Sequence, residues 1–254
     1  MKRIESTSNA LVKHWKKLVT VRKEREKTKE FIVEGNHLVE EALKVPGMIK
    51  HILLGDHATL QHDWNTEGIE VLEISPEIVS ELADTEHTQG IFAHCSQPEF
   101  KVSPSAWSRV LVVDAVQDPG NVGTIIRTAD AAGVDAVILG KGSADAYNPK
   151  TLRSAQGSTF HLPIIKADLA EWLPTLADEG FLVIGTALEG AKNYKEVAAS
   201  SKMAFLMGNE GSGVQPAYLE QVDQRVMIPI YGQAESLNVA IATAIILYHF
   251  AEKA

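Results

Sequence analysis

Hydrophobic and polar positions follow two different periods along the chain. In the first 30 residues, Leu11, Trp15, Leu18 and Val19 recur every three or four positions among Lys and Arg. This is the period of an α-helix with one apolar face. The pattern predicts a single helix over residues 3–30.

From residue 30 to residue 91, short apolar runs alternate with segments of helical period. The pattern predicts strands at 31–33, 51–54 and 70–74, and helices at 38–43, 58–65 and 76–82. Strands that alternate with helices favour a small α/β domain. Residues 97–108 contain two prolines and little periodicity, so we expect a linker there.

Residues 109–254 predict a second α/β domain. Its predicted strands are 109–116, 136–139, 182–186, 203–207 and 225–228, and its predicted helices are 122–132, 149–155, 169–178, 216–221 and 237–251. These strands are apolar on both faces, which is typical of a parallel sheet covered by helices. The predicted organisation is a basic N-terminal arm (1–29), a small α/β domain (30–96), the linker (97–108) and the second α/β domain (109–254).

The distribution of charge changes this picture. With 254 residues, 45% of them hydrophobic and 22% charged, the chain is a folded globular protein and not a disordered or repetitive one. A net charge of −9 argues against nucleic acid as a partner. However, residues 1–30 hold ten Lys or Arg against four Glu, which leaves −15 on the other 224 residues. This segment is either a solvated helix face or a surface that binds phosphates, with these candidate RNA contacts: Lys13, Lys16, Lys17, Arg22, Lys23 and Arg25.

The numbers and positions of cysteines and histidines limit which disulfides and metal sites are possible. Cys95 is the only cysteine, which excludes an intramolecular disulfide and a cysteine-based zinc site. Six of the nine His lie between His37 and His94 without the spacing of metal ligands, so we interpret them as ordinary polar residues and predict no metal. No secretory signal is visible, and the longest apolar stretch, near 239–247, is too short to span a bilayer. We expect a cytoplasmic protein without membrane contact.

Three segments after predicted strands are unlike ordinary loops. Ligands of parallel α/β sheets sit beyond the carboxyl ends of the strands. In the first segment, 118–127, Asn121 is placed to cap a helix and Arg127 follows about two turns later. An ordinary strand–turn–helix joint would have the same spacing. Neither a dinucleotide fingerprint nor a phosphate-binding P-loop is present.

The second segment, 206–213, contains Gly208, Asn209, Glu210 and Gly211. Its glycines allow the backbone to approach a ligand, although a flexible loop would also explain them. The third, 228–238, ends in Ser236-Leu237-Asn238, where Ser236 is the expected helix cap. Capping alone would account for these residues. The following helix is apolar on most faces, so it is buried or forms an interface.

Together, in this order and spacing, the three segments resemble the three motifs of the SpoU (TrmH) family of RNA ribose 2′-O-methyltransferases in the SPOUT superfamily. The matching residues are Asn121 and Arg127, then Asn209, Glu210 and Gly211, then Ser236, Leu237 and Asn238. The resemblance covers about residues 109–251. Residues 30–94 resemble the small substrate-binding domain that often precedes it, which is similar to a ribosomal-protein RNA-binding fold. The sequence segments that carry this resemblance are 31–35, 38–42 and 87–91.

The resemblance implies an α/β fold whose SPOUT-type parallel sheet carries a trefoil knot, a homodimer, and S-adenosylmethionine as cofactor. It implies that Arg127 is essential, whether or not it accepts the proton, and that Asn121, Glu210, Ser236 and Asn238 hold the ribose, Arg127 and the loops. The cofactor would be held by Thr186, Ala187, Gly208, Asn209, Gly211, Ile228, Ile230, Ser236 and Leu237.

The expected reaction is 2′-O-methylation of a ribose in RNA, with large-subunit ribosomal RNA favoured by the extra N-terminal domain. The alternatives are a tRNA methyltransferase or a resistance-type rRNA methyltransferase. Two other classes are a non-catalytic RNA-binding module and a dinucleotide-dependent oxidoreductase. The first would fail to bind S-adenosylmethionine, and the second lacks its glycine fingerprint.

Overall fold

The computed structural model describes residues 2–251. These residues form two compact units. The first unit contains residues up to Glu99 together with Tyr147–Phe160, and the second contains Phe100–Ala146 and the residues from His161 onward. The main division therefore falls inside the segment expected to be a linker. The basic N-terminal segment lies within the first unit and is not a separate arm.

The first unit is a five-stranded mixed sheet with helices packed on it. Its elements are β1 (Lys2–Ile4), α1 (Ala10–Thr20), α2 (Arg22–Thr28), β2 (Glu30–Glu34), α3 (Asn36–Leu43), β3 (Ile49–Leu54), β4 (Glu70–Ile74), α4 (Pro76–Leu82) and β5 (Ile91–Ser96). The strand order is β1-β4-β3-β5-β2. Strands β1, β4 and β3 are parallel, while β5 runs antiparallel to both of its neighbours.

The predicted single helix over residues 3–30 is wrong. The segment begins with β1 and continues with two helices that are separated at Val21, which has an extended backbone (φ −117°, ψ 108°). Helix α1 packs on the sheet through Val12, Trp15 and Leu18, all fully buried. The helical period continues across Val21, so periodicity alone does not reveal the break.

Two further elements of this unit differ from the prediction. Residues 58–65 form turns and no helix, with Ala58 and Trp64 donating their backbone N–H groups three residues back. Strand β5 was not predicted, although it lies inside the sheet, between β3 and β2. Its residues are buried on both faces and include His94 and Cys95, so they show no alternation of apolar and polar positions.

The second unit is a seven-stranded, fully parallel sheet, as the apolar strands predicted. Its elements are β6 (Arg109–Val113), α5 (Pro119–Ala131), β7 (Ala136–Leu139), β8 (Ile164–Lys166), α7 (Leu169–Asp178), β9 (Leu182–Thr186), β10 (Lys192–Asn193), β11 (Met203–Met207), α8 (Pro216–Leu219), β12 (Gln224–Met227) and α9 (Val239–Ala251). The remaining helix in chain order, α6 (Pro149–Ala155), belongs to the first unit.

The strand order is β10-β12-β9-β11-β6-β7-β8, so β6, β11, β9 and β12 are consecutive neighbours. The short edge strands β8 and β10 were not predicted. The trefoil knot stays a prediction of the resemblance. Among residues 2–251, no helix is both long and apolar enough to cross a bilayer.

Candidate active site

The three predicted segments follow strands β6, β11 and β12, which run in the same direction in one sheet. Their carboxyl ends therefore lie along the same edge, the usual ligand side of a parallel sheet. Residues 230–238 are all exposed, so this edge is an open surface.

Asn121 lies in the first segment, but it does not cap α5 as predicted. Asp118 is the N-cap, and its Oδ1 accepts the backbone N–H of Asn121 at 2.9 Å. Pro119, at the first helical position, has a backbone suited to that position and lacks the N–H that would be unsatisfied there. Because Asp118 caps the helix, the Asn121 side chain is available for other contacts. Its Nδ2 donates to Glu210 Oε1 at 3.0 Å.

The cap of α9 is likewise not the predicted residue. Asn238, not Ser236, caps this helix, since its Oδ1 accepts the backbone N–H of Ala240 at 2.9 Å. The Nδ2 of Asn238 donates to Asn121 Oδ1 at 3.0 Å. Asn238, Asn121 and Glu210 thus form a continuous hydrogen-bonded chain between the three segments. Ser236 is exposed and makes no hydrogen bond within residues 2–251.

Glu210 is the charged end of this chain. Partial burial raises the pKa of its carboxyl, but the hydrogen bonds from the Asn121 side chain and from the backbone of Glu210, Gln117 and Asp118 outweigh burial and lower the pKa overall. The carboxylate is therefore ionised at neutral pH and acts only as an acceptor. An anion at the start of α5 is also favourable to the helix dipole.

Gly208 has a structural reason to be glycine. A Cβ added there would lie 2.2 Å from the carbonyl carbon of Gly213 and from the nitrogen of Val214. The loop closes on itself through paired backbone hydrogen bonds between Asn209 and Gly213, at 2.9 and 3.0 Å. A Cβ at Gly211 would meet only Asn209 Oδ1, at an ordinary 3.6 Å. The close approach predicted for Gly208 is therefore to its own loop.

Arg127 lies on α5, two turns beyond Asn121, and is exposed. Within residues 2–251 its guanidinium has no hydrogen bond or ion pair. An arginine without an internal partner offers all five of its donors to a ligand. It is suited to bidentate binding of a phosphate.

The candidate cofactor residues lie at the ends of neighbouring strands. Thr186 is the last residue of β9 and Ala187 follows it, and the Ala187 N–H donates to the carbonyl of Val226 in β12 at 3.0 Å. Further along, Ile230 and Leu237 are apolar and exposed. Exposed apolar side chains at the strand ends fit a purine and an amino-acid tail. The donor set of this edge therefore fits S-adenosylmethionine.

The candidate RNA contacts separate into three kinds. Lys13, Lys17 and Lys23 are exposed and have no ion pair among the described residues. Lys16 is exposed but pairs with Glu81 at 3.0 Å, and Arg22 pairs with Glu26 at 2.9 Å.

Arg25 was predicted as an RNA contact, and this is wrong. It is only 2% exposed, and its Nη1 donates to the carbonyls of Leu18 and Val19 at 2.6 and 3.0 Å. Those carbonyls lie in the last turn of α1, where intrahelical partners are missing. Arg25 is therefore a helix cap.

A histidine cluster in the first unit was not anticipated. Ligand-type atoms of His14, Glu30 and His94 lie within 4.8 Å of one another. Trp15 Nε1 donates to His94 Nδ1 at 3.2 Å, and His94 Nε2 lies 3.2 Å from Glu30 Oε2. Since the indole N–H can only donate, Nδ1 of His94 carries no proton and Nε2 must carry it. A proton on Nε2 blocks metal coordination there, so the cluster is a hydrogen-bonded network. His14 and His94 are 80 positions apart, and no sequence spacing signals their contact.

Two family models match this chain. Residues 108–248 match the model of the SpoU rRNA Methylase family, and residues 9–93 match the MRM3-like substrate binding domain. The molecule thus combines a methylase unit with a unit of the substrate-binding type. The chain belongs to the SpoU rRNA methylase family, which confirms the predicted resemblance.

Relatives match over nearly the whole length. The 23S rRNA (guanosine(2553)-2′-O)-methyltransferase RlmP of Bacillus subtilis is 53% identical over 249 residues, 98% of this chain and 99% of that protein. The S-adenosylmethionine-bound rRNA methyltransferase of Sinorhizobium meliloti has a TM-score of 0.86 at 30% identity, over 99% of this chain and 97% of that one. The SpoU methyltransferase AviRb of Streptomyces viridochromogenes, also with bound S-adenosylmethionine, has a TM-score of 0.84 at 28% identity over 96% and 97%.

Proposed function

We propose that this protein transfers a methyl group from S-adenosylmethionine to the 2′-hydroxyl of a ribose in 23S rRNA, at a guanosine equivalent to the one that RlmP methylates. The observation that carries the proposal is 53% identity to RlmP over 98% of this chain. A ribosomal RNA substrate would place the enzyme in the cytoplasm.

When bound, the cofactor supplies an electrophilic methyl group, and the protein supplies position and charge. Arg127 is the group that meets the substrate: its free guanidinium binds the phosphate beside the target ribose and donates to the 2′-oxygen. Arginine stays protonated in proteins, so Arg127 orients the hydroxyl and stabilises the negative charge that develops on its oxygen. As the methyl group is transferred, the hydroxyl proton passes to the neighbouring RNA phosphate or to water, and the former cofactor leaves as neutral S-adenosylhomocysteine.

The chain from Asn238 through Asn121 to Glu210 holds the three loops in one geometry. Two bonds of 3.0 Å connect residues separated by 117 and 89 positions. A small displacement of reacting groups costs a large factor in rate, so these contacts act on turnover more than on ribose affinity. We assign Asn121, Glu210 and Asn238 to positioning, and Ser236, exposed in the third segment, to ligand contact.

S-adenosylmethionine is held by the strand-end edge. Thr186, Ala187 and Gly208 lie at the carboxyl ends of the neighbouring parallel strands β9 and β11. Apolar surface comes from Ile228, Ile230 and Leu237. Gly211, in the loop after β11, completes this edge. Main-chain donors with apolar side chains are the usual composition of a purine site.

RNA binds to the exposed face of the first two helices. Lys13, Lys17 and Lys23 present free ammonium groups there, which would displace counterions from phosphates. Lys16 and Arg22 join them once RNA competes with their carboxylate partners, since exposed ion pairs contribute little.

The enzyme acts as a homodimer in this proposal. Helix α9 buries one face, but Ile241 and Tyr248, two turns apart on the other face, are 53% and 49% exposed. Tyr231 is 91% exposed as well, and a second copy would cover exposed apolar side chains of this kind. Light scattering of the wild type and of Ile241→Lys would test this.

The central experiment compares wild type, Arg127→Ala and the control Arg3→Ala on a 23S rRNA transcript, with ribose-methylation mapping as readout. Arg3 is exposed and paired with Asp56 in the first unit, so its loss changes charge equally. We expect methylation at one guanosine, its loss in Arg127→Ala, and unchanged S-adenosylmethionine binding by calorimetry. Turnover by Arg127→Ala within a few-fold of wild type would refute the assignment, and modification of tRNA alone would favour the tRNA alternative.

A further inference from the structure

The loop after β11 contacts the loop after β6 almost residue by residue. Asp114 accepts two hydrogen bonds from Gln215, from its backbone N and its Nε2, both at 2.8 Å. Asn209 Nδ2 donates to the carbonyl of Ala115 at 2.6 Å. Glu210 accepts from the backbone N–H of Gln117 at 3.4 Å. These bonds hold residues 114–117, which lead directly into α5.

Ala115 has an unusual backbone for its position. It is one of three non-glycine residues with positive φ in the part of the chain that the structure describes. The other two, Lys29 and Gln156, are C-caps of helices, where a left-handed residue is common. Ala115, with φ of 52°, lies two residues after β6 and is not the C-cap of a helix. Its Cβ makes this conformation unfavourable, so the conformation needs support from tertiary contacts.

Asn209 supplies that support, and the oxygen and nitrogen of its side-chain amide have different partners. The oxygen accepts the backbone N–H groups of Gly211 and Ser212 at 2.9 and 3.2 Å, which shapes its own loop. The nitrogen donates to Ala115. The methyl group of Ala115 lies close to Gly142, since a Cβ added at Gly142 would be 3.1 Å from the Ala115 Cβ.

We propose that Asn209 is a positioning residue whose side-chain amide holds Ala115 in the left-handed conformation and thereby places the start of α5, with Asn121 and Arg127, for the reaction. The role in methylation rests on the proposed function. It differs from the cofactor contact expected for Asn209, because the amide is engaged by the first loop.

The two atoms of the side chain can be tested separately. Asn209→Asp keeps an oxygen for Gly211 and Ser212 but removes the donor to Ala115. Ala115→Gly removes the Cβ, so residue 115 takes positive φ without steric cost and depends less on Asn209. Asn65→Asp is a matched control, because Asn65 is exposed in the first unit and its Oδ1 accepts the Glu67 N–H, an acceptor that Asp retains.

We expect Asn209→Asp to lower single-turnover methylation about tenfold in the wild-type background, and about threefold or less in the Ala115→Gly background, the order expected for one hydrogen bond. Hydrogen–deuterium exchange gives a readout independent of catalysis. The amides of Gln117 and Asn121 should exchange faster in Asn209→Asp, and the double variant should reverse much of the increase. Asn65→Asp should change neither measurement.

Equal losses in the two backgrounds, with unchanged exchange at Gln117 and Asn121, would overturn the proposal and assign Asn209 to direct ligand contact. If the wild-type protein methylates no RNA, the proposed function fails, but the exchange measurements still decide whether Asn209 supports the first loop.

Discussion

The buried ring of His94 makes the first unit sensitive to acid. His94 is 3% exposed, and its Nδ1 accepts from Trp15 while its Nε2 faces Glu30. His51 Nδ1 also lies 3.1 Å from His94 Nδ1. A second proton on the ring would sit on Nδ1 and point at the Trp15 N–H. The folded state therefore holds His94 neutral, while the unfolded chain leaves it free to protonate.

The magnitude follows from the pKa. Burial, which outweighs the opposing effect of Glu30, lowers the pKa of His94 from 6.5 to about 4. As pH falls below 6.5, His94 becomes protonated in the unfolded state but stays neutral in the folded state. The free energy of unfolding therefore falls until pH reaches about 4. With about 1.4 kcal/mol for each pH unit, the total loss is roughly 3 kcal/mol, most of it reached by pH 4.5. The low pKa of Glu30, about 2, contributes only below its ordinary value of 4.5.

The assay is urea unfolding between pH 7.5 and 4.5, followed by tryptophan fluorescence. Trp107→Phe and Trp172→Phe in every protein remove the tryptophans of the second unit, so that the signal reports the first. His94→Gln cannot titrate in this window, so its free energy of unfolding should decline less than that of wild type, by roughly 2.5 kcal/mol at pH 4.5. His62→Gln, at an exposed loop position, should behave as wild type.

Absolute stability at pH 7.5 does not decide the question, because His94→Gln also changes hydrogen bonds to Trp15 and Glu30. The pH dependence decides it. If wild type and His94→Gln lost the same free energy between pH 7.5 and 4.5, His94 would not be the acid-sensitive group. His51, whose pKa is also lowered by burial, would then be the next candidate.

Three further perturbations separate binding from folding. Replacing Lys13 and Lys17 together by Ala should lower the slope of log RNA affinity against log salt concentration by about 1.5. The control Lys44→Ala should leave the slope unchanged, because Lys44, the C-cap of α3, is already paired with Glu41. Arg25→Ala should lower the free energy of unfolding, measured with urea, by roughly 2 kcal/mol, because the cap of α1 is lost. Gly208→Ala should cost roughly 3 kcal/mol, because its Cβ would meet backbone at 2.2 Å; a calorimetric scan that matched wild type would show that the loop can move aside.

The sequence predicted the parallel sheet well because its central strands are continuous apolar runs. The bounds of β7, β9 and β11 agree with the predicted 136–139, 182–186 and 203–207. Burial on both faces leaves little choice of conformation for such runs between turn residues. The same rule failed for β5, where His94 and Cys95 interrupt the apolar run although both are buried. The burial of His94 depends on its hydrogen bond with Trp15, which lies 79 positions away.

The structure brings Asn121, Glu210 and Asn238 together from the three predicted segments, but the sequence did not predict their local geometry. Asn121 and Ser236 each match the composition of a helix cap, yet Asp118 and Asn238 take those positions. Several adjacent residues can cap a helix, and the tertiary position of the incoming strand decides among them. The outcome matters for function, since Asn121 can reach both Glu210 and Asn238 only because it is not the cap.

Charge is the property for which sequence arithmetic was least informative. The N-terminal segment carries ten basic residues, but the structure engages several of them: Arg25 is buried, Lys16 and Arg22 are paired, and Arg3 lies between carboxylates. The helix face that carries Lys13 and Lys17 keeps its charge because the opposite face, with Trp15, supplies the packing that fixes α1 on the sheet. The amphipathic pattern that predicted a basic arm therefore belongs to a helix that is fixed on the sheet, with its lysines on the exposed face. A rigid array of lysines loses less entropy on meeting phosphates than a mobile arm would, so we expect this surface to contribute to the choice of RNA as well as to affinity.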